Sequence, residues 1–273
     1  MRSLFSSLLM VMLVAAVAAA DEPRFRRVDL VSDPLLNVHT QLKDDNLVNA
    51  WGLARGPTTP WWVANNGTGT ATLYGIKSDG DVQKNPLVVS VDDTPTGQVF
   101  NGGDEFVVWD GKGNMGPARF IFATEAGTVW AWSPKVPPPT KARLVFCGGD
   151  DDVYKGLALA TDHRGRSRLY VTDFHNARVI VLDGDFKEID LGRHAFVDRA
   201  IPRGFAPFGI GAFGDRIIVT YAKQDADRHD DVAGPGNGFV DEYDLEGHLI
   251  RRVASRGALN SPWGLALGPE SFG

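Results

Sequence analysis

From Asp29 onward, short apolar runs alternate with clusters of Gly, Pro, Asn and Asp, and no stretch keeps an amphipathic helical period. Apolar runs of this length, bounded by turn residues, predict many short strands. Residues 154–192, "YKGLALATDHRGRSRLYVTDFHNARVIVLDGDFKEIDLG", read as four of them, at 156–160, 168–173, 178–183 and 187–191. The run "VIVL" at 179–182 is apolar at every position, so both faces of that strand must be covered. In an antiparallel meander, such coverage arises when four-stranded sheets stack face to face around a common axis.

The same grammar extends over the rest of the chain. One unit reads "AWGLA", "PWWVANNG", "ATLYGIK" and "NPLVVSVD", and the next reads "PTGQVFN", "ARFIFATEAG", "TVWAWSP" and "ARLVFCGG". After the unit at 154 come "APFGIGAF", "DRIIVTYAK", "GFVDEYDLEG" and "LIRRVAS", and then a fifth opening, "PWGLALG". The opening glycines are Gly52, Gly97, Gly156, Gly209 and Gly264, spaced by 45, 59, 53 and 55 residues. "LVNAWGLARG" at 47–56 returns almost unchanged as "LNSPWGLALG" at 259–268. A repeat of this period predicts an all-β propeller, with four complete blades and the start of a fifth in this chain. Glycine at each opening lets innermost backbones crowd together near the axis.

"KGLALATDHRGRSRLYVTDFHNARVIVLDGD" resembles the NHL-repeat unit, in which a Gly-Leu-Ala opening precedes two strands that end in acidic turns. In order, "NLVNAWGLA", "WWVANNGTGTATLY", "PTGQVFN", "FIFATEAGTVWAW", "YKGLALA", "LYVTDF", "GFAPFGI" and "LNSPWGLA" are similar to a family of uncharacterised secreted propellers related to NHL-repeat proteins. The resemblance implies a six-bladed ring and brings no established activity. Members of that family continue past the last of these motifs, so the chain is expected to be C-terminally truncated relative to them. The N-terminal "FRRVDLVS" is then expected to complete a final blade.

Composition changes this picture in a few places. In residues 1–20 Arg2 is the only charge, an apolar stretch runs over 8–20, and Ala18, Ala19 and Ala20 offer small residues for cleavage. This predicts a secretory signal peptide over 1–20 and a propeller domain over 21–273, secreted to an extracellular or periplasmic space. No later run is apolar for long enough to span a bilayer. The formal net charge of −6 argues against nucleic acid as a partner. Cys147 is the one cysteine, which excludes an intrachain disulfide, and "ARLVFCGG" predicts a small buried residue in a strand. "GKGNMG" and "GIGAFG" match a nucleotide-loop spacing, but strands rather than helices follow, so their glycines are read as turns.

Propeller ligands sit on loops and strand ends at the channel mouth. Asn49, Asn65, Asn101, Tyr221 and Asn260 are the candidate ligand-binding residues there, with Asn66 and His175 nearby in sequence. Asn65, Glu125 and Asp173 are read as one slot, the end of the second strand in three units, and could offer oxygens to Ca²⁺. Calcium-dependent gluconolactonase-type propellers use a similar arrangement, in which the metal polarises a lactone carbonyl. The competing reading is that strand-end Asx residues satisfy their own turns. "DADRHDD" at 225–231 reads as a solvated insertion between second and third strands. The tryptophans Trp51, Trp61, Trp62, Trp109, Trp130, Trp132 and Trp263 fall mostly at strand positions, which favours core packing over a carbohydrate platform. The resulting expectation is a scaffold for an extracellular small molecule, glycan or protein. The alternative is a calcium-dependent, lactonase-type hydrolase.

Overall fold

A strand buried on both faces needs a neighbour above and below, and the computed structural model shows how this chain supplies them. It describes residues 27–268, so the expected signal peptide lies outside the described residues. The strands are β1 (Val31–Ser32), β2 (Leu42–Lys43), β3 (Ala50–Ala54), β4 (Trp61–Asn65), β5 (Thr70–Ile76) and β6 (Val82–Ser90). There follow β7 (Pro95–Phe100), β8 (Val107–Trp109), β9 (Met115–Pro117), β10 (Phe120–Thr124), β11 (Thr128–Trp132) and β12 (Arg143–Cys147). The last are β13 (Tyr154–Thr161), β14 (Ser167–Asp173), β15 (Arg178–Leu182), β16 (Phe205–Phe213), β17 (Arg216–Lys223), β18 (Gly238–Asp244) and β19 (Leu249–Ser255). They form the antiparallel sheets β3-β4-β5-β6, β7-β10-β11-β12, β13-β14-β15 and β16-β17-β18-β19, with β8-β9 as a separate hairpin.

Successive sheets stack through apolar clusters. Trp62 and Leu73 of the first meet Phe120, Phe122 and Trp132 of the second. Ile121 and Val129 of the second join Leu157 and Val171 of the third, and Tyr170 and Val181 of the third join Val219 and Tyr243 of the fourth. At the inner end each opening glycine sits where the ladder slips register, a bulge repeated in all four sheets. A Cβ on Gly52 would lie 2.5 Å from Thr96 O, one on Gly97 would lie 2.5 Å from Leu157 N, and one on Gly156 would lie 2.8 Å from Phe208 O. Gly209 abuts Trp263 O in the same way. Thr hydroxyls stitch the same joints: Thr96 donates to Tyr154 O (2.8 Å), Thr172 to Phe208 O (2.8 Å) and Thr220 to Pro262 O (2.5 Å). The arrangement is all-β and propeller-like, with the glycine-bearing strands innermost.

Several local expectations are corrected. The run at 187–191 is not a strand: it contributes one bridge, Leu182 to Glu188, before Asp190 caps Gly192 N–H and the chain turns at φ 85°. Ile189 and Leu191 pack against the adjoining core instead of extending a ladder, so the third sheet has three strands. Of "FRRVDLVS", Val31 and Ser32 pair in parallel with Leu42 and Lys43 rather than completing a blade. Cys147 is exposed, because the outermost strand has no sheet beyond it. Gly111 and Gly113 are turn glycines with positive φ, whereas Gly209 and Gly211 lie inside β16 and Gly214 alone makes that turn. The fifth opening forms no strand, although Trp263 occupies the next inner position beside Gly209.

Asp44 anchors the segment before β3. Its carboxylate accepts from Tyr74 Oη (2.6 Å), Lys84 Nζ (2.6 Å) and Asn46 N (3.0 Å). Burial pushes Asp44 up, but the Lys84, Tyr74 and Asn46 hydrogen bonds outweigh it and hold the carboxyl below its ordinary 3.8. A carboxyl lowered on folding stabilises above its ordinary value, and that stability is lost as pH falls through the folded value. Melting temperatures measured from neutral pH to below 3.8 should therefore fall more steeply in the wild type than in Asp44→Asn. An unchanged slope in the variant would refute this role.

Candidate functional site

The innermost strands enclose a channel of about 540 Å³, walled by Trp51, Trp61, Gln98, Ile210 and Trp263 and by the backbone at Gly52, Gly97 and Gly156. Bare backbone on one side and indole rings on the other make a narrow, largely apolar passage with few polar atoms. Two polar atoms of the wall residues are buried behind that surface without protein partners: Gln98 gives its amide N–H to Trp62 O (3.0 Å) while its Oε1 is left unpaired, as is Trp263 Nε1. A buried donor or acceptor left unpaired costs on the order of 1–3 kcal/mol, and a guest in the channel would recover that only if these side chains turned the two atoms toward it.

Beside Trp51 lies a charged cluster. Lys155 precedes the Gly156 bulge, which aims its side chain out of an otherwise apolar strand. That side chain is 1% exposed. Its Nζ donates to Glu125 Oε1 and to Asp230 Oδ1 (3.2 Å), and stands 5.2 Å from the centre of the Trp51 ring. A buried ammonium requires such partners, since leaving water uncompensated is far too costly. Glu125 Oε2 accepts from Asn66 Nδ2 (2.8 Å), Asn66 Oδ1 from Asn49 Nδ2 (3.0 Å), and Asn49 Oδ1 from Trp51 Nε1 (3.3 Å). Asn49 holds a left-handed φ of 49°, a strained conformation that places its amide in this relay. His229 Nδ1 lies 3.2 Å from Asp230 Oδ1. Burial pushes Asp230 up, but the charges and hydrogen bonds of Lys155 and His229 together outweigh it and hold the carboxyl below its ordinary range. Glu125, His229 and Asp230 bring ligand atoms within 4.8 Å of one another, enough to hold a metal ion. The Lys155 ammonium already spans two of the three.

The structure gathers only part of the expected set. Asn49 and Glu125 belong to this cluster. Asn65 gives its amide to Thr70 and Thr72 (3.1 and 3.0 Å) inside its own sheet. Asn101 closes a local turn on Glu105 O and Ala118 O, and Asn260 Oδ1 caps Gly234 N (2.6 Å). Tyr221 Oη meets Tyr243 Oη at 2.6 Å in the core. Asp173 accepts from Arg178 Nε (2.8 Å) and Asn176 Nδ2 (2.9 Å), and burial pushes its carboxyl up.

Pairing also corrects the shared slot. Asn65 faces Ala50, Asp173 faces Tyr154 and Tyr221 faces Pro207, but in the second sheet Thr124, not Glu125, faces Pro95. Glu125 lies one residue further, which turns it toward Lys155. Lys155 and Gln98 were not singled out from sequence. The available signal was one lysine inside the apolar "YKGLALA". The insertion at 225–231 does lie between β17 and β18, yet it sends Asp230 into the cluster. Trp62, Trp130 and Trp132 are buried as expected, while Trp51, Trp61 and Trp263 line the channel and Trp109 is exposed.

No protein-family model matches the chain. An uncharacterised protein of Acanthamoeba polyphaga mimivirus is 30% identical over 240 residues, covering 84% of this chain and 58% of the viral one. The periplasmic gluconolactonase PpgL of Pseudomonas aeruginosa matches 82% of this chain and 59% of its own at 16% identity, with a TM-score of 0.45. An exo-beta-1,3-galactanase of Phanerochaete chrysosporium matches 76% of this chain and 49% of its own at 12% identity, with a TM-score of 0.46. The chain thus spans less than two thirds of the length of each of these proteins. Among the described residues, no helix is long and apolar enough to cross a membrane.

Proposed function

We propose that the chain is a binding protein that takes a small, hydroxyl-rich molecule, of the sugar or sugar-lactone kind, into the channel. One observation carries the reading: the channel is walled by the indoles of Trp51, Trp61 and Trp263, with the amide side chain of Gln98 set among otherwise apolar walls. A hydroxyl can satisfy both an acceptor and a donor, and the C–H faces of a sugar ring suit an aromatic wall. With this reading go the finer expectations of NHL-like blades in a six-bladed ring, secretion, and an extracellular small molecule, glycan or protein as partner.

The test is a titration with glucose and gluconolactone, followed by tryptophan fluorescence and by calorimetry. Saturable quenching is expected, weakened roughly fivefold or more in Gln98→Met, which keeps the side chain's length but loses the acceptor. A flat response to every sugar and lactone at millimolar concentration would refute the site.

The grouping of Glu125, His229 and Asp230 favours a second reading, a calcium-dependent hydrolase of the lactonase type. It requires the ion to displace the Lys155 ammonium. Calcium should then raise the melting temperature, chelator should reverse the rise, and lactone should be hydrolysed only with the ion present.

A further inference from the structure

We infer that Lys155 is an anion-recognition point, and that the molecule bound at the channel mouth carries a single carboxylate, seated where the Asp230 carboxylate now lies. The inference rests on the channel mouth being the ligand site and names the ligand's chemical class. Three observations lead to it.

The first is the mismatch between the two partners of Lys155. Its side chain is 1% exposed and that of Glu125 13%, whereas the Asp230 side chain is 66% exposed. Water keeps competing for an exposed carboxylate, so its hold on the buried ammonium is weak, while Glu125 is fixed from behind by Asn66. Asp230 is the displaceable partner.

The second is where Asp230 comes from. It sits on the insertion between β17 and β18, whose ends are tied down: Gln224 Nε2 donates to Phe174 O (2.6 Å), Asp225 N to Asp230 O (2.9 Å) and His229 N to Asp225 Oδ1 (2.9 Å). Exchange therefore needs only rotation of one exposed side chain, with no opening of the loop.

The third is continuity and charge balance. Trp51 lies beneath the ammonium and also walls the channel, so a carboxylate on Lys155 continues into a hydroxylated body within the channel. Once Asp230 swings away, Lys155 and Glu125 cancel, and one incoming negative charge restores what Asp230 supplied. A dianion would place a second negative charge beside Glu125 in a poorly hydrated site, which selects a monocarboxylate.

Glucose and glucuronate share a ring and differ by this carboxylate, so calorimetric titrations with both separate the two claims. Wild-type protein is expected to bind glucuronate more tightly than glucose. Asp230→Asn, which removes the competing carboxylate, should raise the preference for glucuronate over glucose by about tenfold. Lys155→Met should abolish the preference, and Asp230→Asn keeps the inference testable if that variant does not fold. Equal binding of both sugars in wild type and in Asp230→Asn overturns the carboxylate inference and leaves the channel site standing. Binding of neither sugar overturns both.

Discussion

Replacing Arg252 with Met should destabilise the fold by about 3–5 kcal/mol in chemical denaturation, the cost of leaving a buried charge without its partner. Arg252 on β19 lies opposite Asp241 on β18 and donates to both Asp241 and Asp198. The Asp241 side chain is 0% exposed. Its other oxygen accepts from Tyr243 Oη (3.3 Å), which in turn meets Tyr221 Oη, so the guanidinium is the one cation of a buried polar chain. Met keeps the aliphatic length and the packing over Phe239, where the guanidinium stands 5.0 Å from the ring centre. What is lost is charge. Burial already pushes Asp241 up, although Arg252 pulls it down, so without Arg252 its carboxyl rises further. A carboxyl raised on folding favours the folded state at low pH, and that contribution is lost as pH rises through the folded value. The variant should therefore recover part of its stability on acidification, and Arg252→Met with Asp241→Asn should recover part of it at neutral pH, Asp198 still lacking its cation. A loss below about 1 kcal/mol in the single variant, the size expected of a surface pair, would sink the claim.

Trp62→Ala should cost a similar amount, about 3–5 kcal/mol, through the cavity it opens between the first two sheets. Trp62 is 2% exposed. It stacks on Phe120 at 4.0 Å and 16°, and lies 4.8 Å from Trp132 and 6.4 Å from Phe122, ring centre to ring centre. These partners belong to a different sheet from Trp62, so the cavity cannot close without moving one sheet against the other. Trp109→Ala is the control. That residue is 63% exposed on the β8-β9 hairpin and should change stability by no more than about 0.5 kcal/mol. Equal losses in the two variants would show that the sheets are not held together by this aromatic contact.

The second prediction concerns the stacking of sheets, and the stacking was written in the chain. Gly52, Gly97, Gly156 and Gly209 recur at a blade-like spacing and each occupies the same inner bulge. The apolar run at 179–182 announced a strand covered on both sides, and Ile180, Val181 and Leu182 are buried. Edges were less legible. Residues 187–191 carry a strand-like run, but Asp190 and Gly192 favour a turn, and propensity alone does not decide between them. Cys147 reads as apolar and buried until the absence of a further sheet outside β12 becomes visible.

The candidate site divides the same way. Periodicity placed Asn49 and Glu125 near the mouth, because strand ends at fixed spacing project to one end of a stack. It did not separate Glu125 from Thr124: the pairing puts Asn65, Thr124, Asp173 and Tyr221 in one slot, and Glu125 one residue past it in the following turn. Nor could it join Lys155 to Glu125 and Asp230, which lie 30 and 75 residues away. Fold class and the inner glycines follow from local backbone demands, steric and hydrogen-bonding, that each short segment states for itself. The Lys155 cluster arises only when distant turns converge and share a charge that none of them could bury alone.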